Sequence, residues 1–407
     1  MKNCIFKRMV AAVLCPIMIL AGLAFPASAE EGWWFAPAIE AQASAEETSE
    51  EPLRDTLALD CKSAILMEAS TGKVLYEQNA DEALPPASVT KVMTLLLVME
   101  AIDEGKIKLD DTVTASAHAA SMGGSQIFLK EGEQMSVEDM LKSVVIASAN
   151  DAACALAEFV EGSEEAFVKA MNDRAAELGM KNTVFENTNG LDDTAENHLT
   201  SARDIAIMSR ELIKHERILE YSSIWMDTVR NGLFGLTNTN RLVRYYKGCT
   251  GLKTGSTSKA GFCISATAER NGMSLICVIM GSPTRDVRNA EATKLLDFGF
   301  ANFGVYNHAQ TDLDPIKVVG GKQESVGISC GGFSYVGEKS ALSAIKCNVD
   351  LPESVSAPIK KGDKVGDAVF LLNGKEIGRV EIVATDDVDK LGYFGIWQRM
   401  MGRFFMK

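Results

Sequence analysis

At 407 residues the chain exceeds one average domain, so two are expected. Its formal net charge of -14 disfavours a polyanionic partner such as nucleic acid, and no phosphate-cradling glycine loop occurs. The four histidines, His118, His198, His215 and His308, show no metal-ligand spacing, which argues against a zinc peptidase and assigns them structural or surface roles.

Residues 1–29 read as a signal peptide: Lys2, Lys7 and Arg8 make a basic start, Met9 to Phe25 is mainly apolar, and Ala27-Ser28-Ala29 offers small residues for cleavage. The apolar stretch is short for a membrane span, and Cys15 lies mid-stretch rather than at a lipidation site. Export is therefore expected, with a mature chain starting near Glu30. Residues 30–56, rich in Glu, Ala and Ser, read as an acidic flexible tether. Seven cysteines remain after residue 29, an odd number that leaves at least one unpaired or intermolecular.

The strand patterns Ala64-Ile65-Leu66 and Val74-Leu75-Tyr76 flank Ser70-Thr71-Gly72-Lys73, which predicts a hairpin turn. Next comes Pro85-Pro86-Ala87-Ser88-Val89-Thr90-Lys91, running into a helix that is apolar almost all round as far as Met99. Ser-x-x-Lys also occurs at Ser70, Ser256 and Ser343, but only Ser88 has prolines before it and a long apolar helix behind it. Positions i and i+3 share a helix face, so the Lys91 amine can reach the Ser88 hydroxyl. Burial disfavours an ammonium, so Lys91 can serve as a base, while the helix N-terminus offers amides to an oxyanion. This is the pattern of an acylating serine.

Ser136-Val137-Glu138-Asp139 is a capping box opening a second helix, and Ser148-Ala149-Asn150 separates it from a third beginning at Asp151. Ser148 and Asn150 could carry a proton relay and hold a substrate amide, although such a tripeptide is more often only a polar connection between helices. Lys253-Thr254-Gly255 precedes the strand Gly261–Ala268. A glycine on an edge strand admits another backbone, and the lysine and threonine suit a carboxylate; the plain alternative is an ordinary turn. The turn at Asn271-Gly272 puts Cys263 opposite Met280, so Cys263 and Cys277 should not pair. Strands at both ends of residues 57–307 with helices between them predict an α+β domain, an antiparallel sheet with a helical lobe. Residues 309–388 change to short strands and Gly, Pro and Lys-Gly-Asp turns, a small β-sandwich-like module. Within it Cys330 and Cys347 could meet across a turn at Glu338-Lys339. Finally Tyr393, Phe394, Ile396, Trp397, Met400, Met401, Phe404 and Phe405 recur at helical spacing beside basic residues. That predicts an amphipathic helix over 391–407, lying in a membrane interface or docked on the protein's own core.

The order Ser88-x-x-Lys91, Ser148-x-Asn150, Lys253-Thr254-Gly255 resembles that of the low-molecular-mass penicillin-binding proteins that are serine-type D-alanyl-D-alanine carboxypeptidases. The resemblance runs from about Leu57 to the C-terminus, through Asn189-Gly190-Leu191, Thr200-Ser201-Ala202-Arg203-Asp204 and Asn238-Thr239-Asn240-Arg241-Leu242. It implies the serine β-lactamase/DD-peptidase (transpeptidase-like) fold, with its site between sheet and helical lobe. It also implies catalytic Ser88, Lys91 and Ser148 and substrate-binding Asn150, Lys253, Thr254, Gly255 and Ser256. The implied partners are a peptidoglycan stem peptide, β-lactam antibiotics and, through 391–407, the outer face of the cytoplasmic membrane; no cofactor is required. Asn189 stands where the family often has His, and Ser256 where a larger side chain is common. A β-lactamase shares the fold, but no Glu-x-x-Leu-Asn lies between Asn150 and Lys253 to supply a deacylating base. A catalytically silent wall-binding protein would not need the intact Ser88, Lys91, Ser148 and Lys253.

Overall fold

The structure is a computed structural model that describes residues 57–192 and 195–405. The expected signal peptide and tether lie outside the described residues. Five antiparallel strands form the central sheet, in the order Val74–Gln78 (β2), Ser63–Glu68 (β1), Met273–Ser282, Gly261–Arg270 and Cys249–Thr257. Lys253-Thr254-Gly255 therefore lies on an edge strand. The period-two alternation of side chains divides the sheet residues between two cores. Ile65, Met67, Ile276, Val278 and Met280 face one, while Ala64, Leu66, Leu275, Cys277 and Ile279 face the other. The helix Arg285–Asn302 covers the second face with Ala292, Leu295, Leu296 and Phe300.

The first face receives a helical lobe. Its centre is Lys91–Asp103 (α1), buried on nearly every side and packed against Val137–Ala147 (α3), Asn150–Glu161 (α4), Glu164–Glu177 (α5) and Ala202–Leu212 (α6). A short helix, Ala117–Ala120 (α2), lies on α4. Local rules explain the boundaries. Ser136 Oγ accepts from the Asp139 N–H at 3.1 Å to cap α3, and Ser163 and Ser201 cap α5 and α6 in the same way. Glu68 closes the first hairpin by accepting from the amides and hydroxyls of Ser70 and Thr71, so that Ser-x-x-Lys is a turn. Asn271 and Gly272 both take positive φ, as a two-residue hairpin turn requires. A bulge between Phe262 and Ile264 ends that register at Cys263.

The C-terminal module is a six-stranded sheet around Ile316, Val318, Val326, Ile328, Phe370, Ile382 and Ala384, with Phe333 stacked on Phe370 at 4.1 Å between ring centres. The strand Phe303–His308 already pairs with Phe333–Glu338, so the passage into the module begins before residue 309. One sequence reading fails here. The seven described cysteines are all free, and the strands bearing Cys330 and Cys347 are separated by two others, Lys364–Leu372 and Lys375–Ala384. The physical reason is that Phe333–Glu338 leaves to join Phe303–His308, and a helical turn at Lys339–Leu342 replaces the expected hairpin. The last helix, Tyr393–Phe405, leaves Tyr393, Phe394, Trp397 and Met400 exposed, while Arg399 donates to the carbonyls of Gly321 and Lys322. Among the described residues, no helix is long and apolar enough to cross a membrane.

Candidate active site

Ser88 sits in a single 3-10 turn, Ala87–Thr90, that feeds directly into α1. Ala87 takes φ 50°, and Thr90 ties the turn by donating to the Ala87 carbonyl at 2.8 Å. His198 braces it from behind. Its Nδ1 accepts from the Glu186 N–H at 3.0 Å, which leaves the ring proton on Nε2 for Thr90 Oγ1 at 2.7 Å. Burial holds this imidazole neutral, with its pKa down to about 4. The structural reading of His198 agrees with that placement.

One turn on, Lys91 Nζ lies 2.9 Å from Ser88 Oγ and donates to the Asn189 carbonyl, also at 2.9 Å. Lys91 is completely buried. Burial, seconded by the charge of Lys253, pushes its pKa well below the ordinary lysine range; Asp151 opposes the shift weakly. Asp151 is occupied in accepting from the Ile127, Leu129 and Ala152 amides, which ties the loop that follows α2 to the start of α4.

The second pair faces the first. Ser148 occupies the left-handed region between α3 and α4 (φ 63°), which turns its hydroxyl out of both helices. Lys253 Nζ donates to Ser148 Oγ and to the Thr254 carbonyl, each at 2.8 Å. Burial and the nearby Arg288 bring Lys253 down to about 7. Thr254 Oγ1 bonds Thr239 Oγ1 at 2.9 Å. The edge strand passes the serine turn so closely that a Cβ on Gly255 would stand 2.6 Å from the Ser88 nitrogen and 2.9 Å from the Pro86 oxygen. Only glycine fits there. Asn150 donates to the Gly123 carbonyl at 2.7 Å, while its buried Oδ1 has no partner and is left free to accept.

Ser88, Ser148, Thr254, Gly255 and Ser256 line one cavity of about 600 Å³. The other Ser-x-x-Lys lysines are elsewhere: Lys73 bonds the Val336 carbonyl and Lys259 the Asp192 carbonyl. Among the cavity residues that escaped the sequence reading as site residues are its three arginines, Arg241, Arg285 and Arg288. Arg288 is nearly enclosed and, among the described residues, bonded only to neutral acceptors, Cys263 O and Asn289 Oδ1; burial, then Arg285 and Arg241, bring it down to about 10. A signal existed. Arg285 and Arg288 open the helix Arg285–Asn302, where the macrodipole disfavours cations. With Lys253 they leave the cavity short of negative charge, which suits an anionic ligand.

Comparison with known proteins gives a consistent picture. Residues 46–284 match a family model described as D-alanyl-D-alanine carboxypeptidase, and residues 308–390 match one described as penicillin-binding protein 5, C-terminal domain. The chain is 43% identical over 404 residues to D-alanyl-D-alanine carboxypeptidase DacF of Bacillus subtilis, covering 97% of this chain and 98% of that one. Penicillin-binding protein 5 from Haemophilus influenzae is structurally similar, with a TM-score of 0.70 and 33% identity over 82% of this chain and 99% of that one. Penicillin-binding protein D2 from Listeria monocytogenes, solved in an ampicillin-bound form, has a TM-score of 0.56 and 34% identity, covering 60% of this chain and 99% of that one.

Proposed function

The chain belongs to the D-alanyl-D-alanine carboxypeptidase family and is a serine-type hydrolase of that kind, and from this premise we propose how its residues divide the reaction. Ser88 Oγ attacks the carbonyl between the last two D-alanines of a peptidoglycan stem peptide, and the neutral Lys91 amine takes the hydroxyl proton. The amides of Ser88 and Ser256 receive the oxyanion; one such donor is worth roughly 10²–10³ in rate. Ser148, bonded to Lys253, relays the proton that Lys91 took to the nitrogen of the departing D-alanine, which leaves Lys91 neutral again. Asn150 holds the substrate amide, and Lys253 and Thr254 take the terminal carboxylate in the field of Arg241, Arg285 and Arg288. Water then cleaves the seryl ester and returns Ser88. A β-lactam, which places a carboxylate and a strained carbonyl similarly, acylates the same serine.

The observation that carries this reading is the fully buried Lys91 amine 2.9 Å from Ser88 Oγ. Labelled penicillin followed by mass mapping tests it. The label is expected on Ser88 alone, and Lys91→Ala is expected to abolish it; a label on another serine defeats the assignment. A long-lived adduct together with D-alanine release from a pentapeptide distinguishes a carboxypeptidase from a β-lactamase, which turns penicillin over rapidly.

Export by residues 1–29 and peripheral attachment by 391–407 complete the proposal. The basic start and small-residue cleavage site support the first, and the exposed aromatic row of Tyr393–Phe405 supports the second. The β module then spaces the catalytic cleft from the membrane surface.

A further inference from the structure

Outside the cleft, three helices bring together side chains that the acylation chemistry leaves unused. Cys154 and Glu158 stand one turn apart on α4, His118 is carried by α2, and Glu164 opens α5. The ligating atoms of His118, Cys154 and Glu158 all lie within 4.8 Å of one another. Glu164 Oε2 adds a fourth, 2.7 Å from His118 Nε2. Sequence spacing concealed the group because its members come from separate helices. Cys154 is buried, Glu158 half-buried and His118 exposed, so the cluster has a closed floor and an open mouth. His118 and Glu164 also border a cavity of about 710 Å³ distinct from the one at Ser88.

We propose that His118, Cys154, Glu158 and Glu164 bind one divalent transition ion of the zinc class. A thiolate and an imidazole select zinc or cobalt over magnesium or calcium, and two carboxylates supply the remaining charge. Two ligands at i and i+4 on one helix face is a spacing that helical metal sites use. Metal–ligand bonds of roughly 2.0–2.3 Å hold tetrahedral donors about 3.3–3.8 Å apart, so modest side-chain rotation closes the present spread. As the sulfur–metal bond forms, the Cys154 thiol releases its proton to solvent.

The ion also has a route to the catalytic wall. Glu164 Oε1 accepts from the Thr188 N–H and hydroxyl at 3.1 and 2.7 Å, and the next carbonyl, that of Asn189, receives Lys91. An ion on Glu164 therefore ties α2, α4 and α5 to the segment that positions the base, and its binding stabilises the folded chain.

The test uses the full chain, stripped with chelator and titrated with Co²⁺. One equivalent is expected to give a thiolate-to-cobalt charge-transfer band with intense four-coordinate visible bands, all bleached by Zn²⁺. His118→Ala and Cys154→Ala are each expected to lose the thiolate band and to weaken binding at least ~10–100-fold, the range already seen for outer-shell partners. Acylation by labelled penicillin shows that each variant is folded. Should Cys154→Ala fail that check, the exposed His118→Ala decides alone. Absence of the band in the wild-type chain overturns the proposal, as does a band that survives in either folded variant. Neither result touches the assignment of Ser88, which is read from the label.

Discussion

Lys91 and Lys253 are both buried and the charge of Lys253 depresses Lys91, so their protons compete, and the pH dependence of acylation follows from which one holds the charge. Lys91 works as the neutral amine, so kcat/KM falls as pH drops through its depressed pKa. Lys253 grips the carboxylate as the cation, so kcat/KM also falls as pH rises past about 7. A bell-shaped profile is expected. In Arg288→Gln, removal of a neighbouring cation lets Lys253 keep its proton to higher pH, so the alkaline limb moves upward while KM for peptide rises. Stopped-flow acylation across pH checks both limbs, and an alkaline limb that stays in place contradicts the coupling. Stability has a related sign. Lys253 is depressed in the folded state, so the unfolded chain binds more protons between about pH 7 and the ordinary lysine pKa near 10.4, and stability rises with pH across that window. Gly255→Ala tests geometry instead of charge: its methyl meets the Ser88 amide, so acylation is expected to fall roughly 10²-fold or more, the worth of an oxyanion donor. Penicillin-binding rates on protein of unchanged circular dichroism measure it. At this scale the Ser88 and Ser148 motifs were legible because each pairs a chemical group with a helix start or stop, whereas Lys253-Thr254-Gly255 lies inside the strand Cys249–Thr257 and was read from its place in the ordered trio. His198 bracing Thr90, and Arg288 facing Lys253, depend on segments that meet only after folding.

Among the elements, the junction between α3 and α4 isolates one backbone choice. Ser148 holds φ 63°, a conformation that glycine enters freely and alanine resists. Ser148→Gly and Ser148→Ala both remove the hydroxyl that Lys253 contacts, so both are expected to lose D-alanine release. They should nevertheless differ in stability by about 1 kcal/mol in favour of glycine, which calorimetry reads as a gap of about 2–4 °C. Equal melting temperatures would mean the loop relaxes in the alanine variant. The α3 cap at Ser136 and the Asn271-Gly272 turn were legible because caps and tight turns are written in two to four residues. The Cys330–Cys347 reading failed because adjacency in a β module is set by which strand swaps sheets, here Phe333–Glu338, and hydrophobic alternation does not encode that choice.

For the whole molecule, the catalytic sheet and the C-terminal module have separate cores, with Ile316 and Phe370 in one and Ile65 and Leu96 in the other. A chain ending at residue 390 is therefore expected to acylate at the parent rate yet no longer sediment with anionic vesicles, whereas the full chain does so in a salt-sensitive manner. Equal sedimentation of both chains removes the terminal helix from the attachment. The two-domain layout was legible from the change in strand and turn texture near residue 308, whereas sheet order was not. The crowded arginines have one last implication. An unliganded enzyme that buries the Arg288 guanidinium beside the Lys253 amine, neither bonded to a carboxylate among the described residues, carries internal repulsion, and an anionic tail relieves it before any bond is made. Small acids lacking a reactive carbonyl should thus raise the melting temperature in proportion to their fit, so a thermal-shift screen can rank reversible inhibitors that penicillin-based assays overlook.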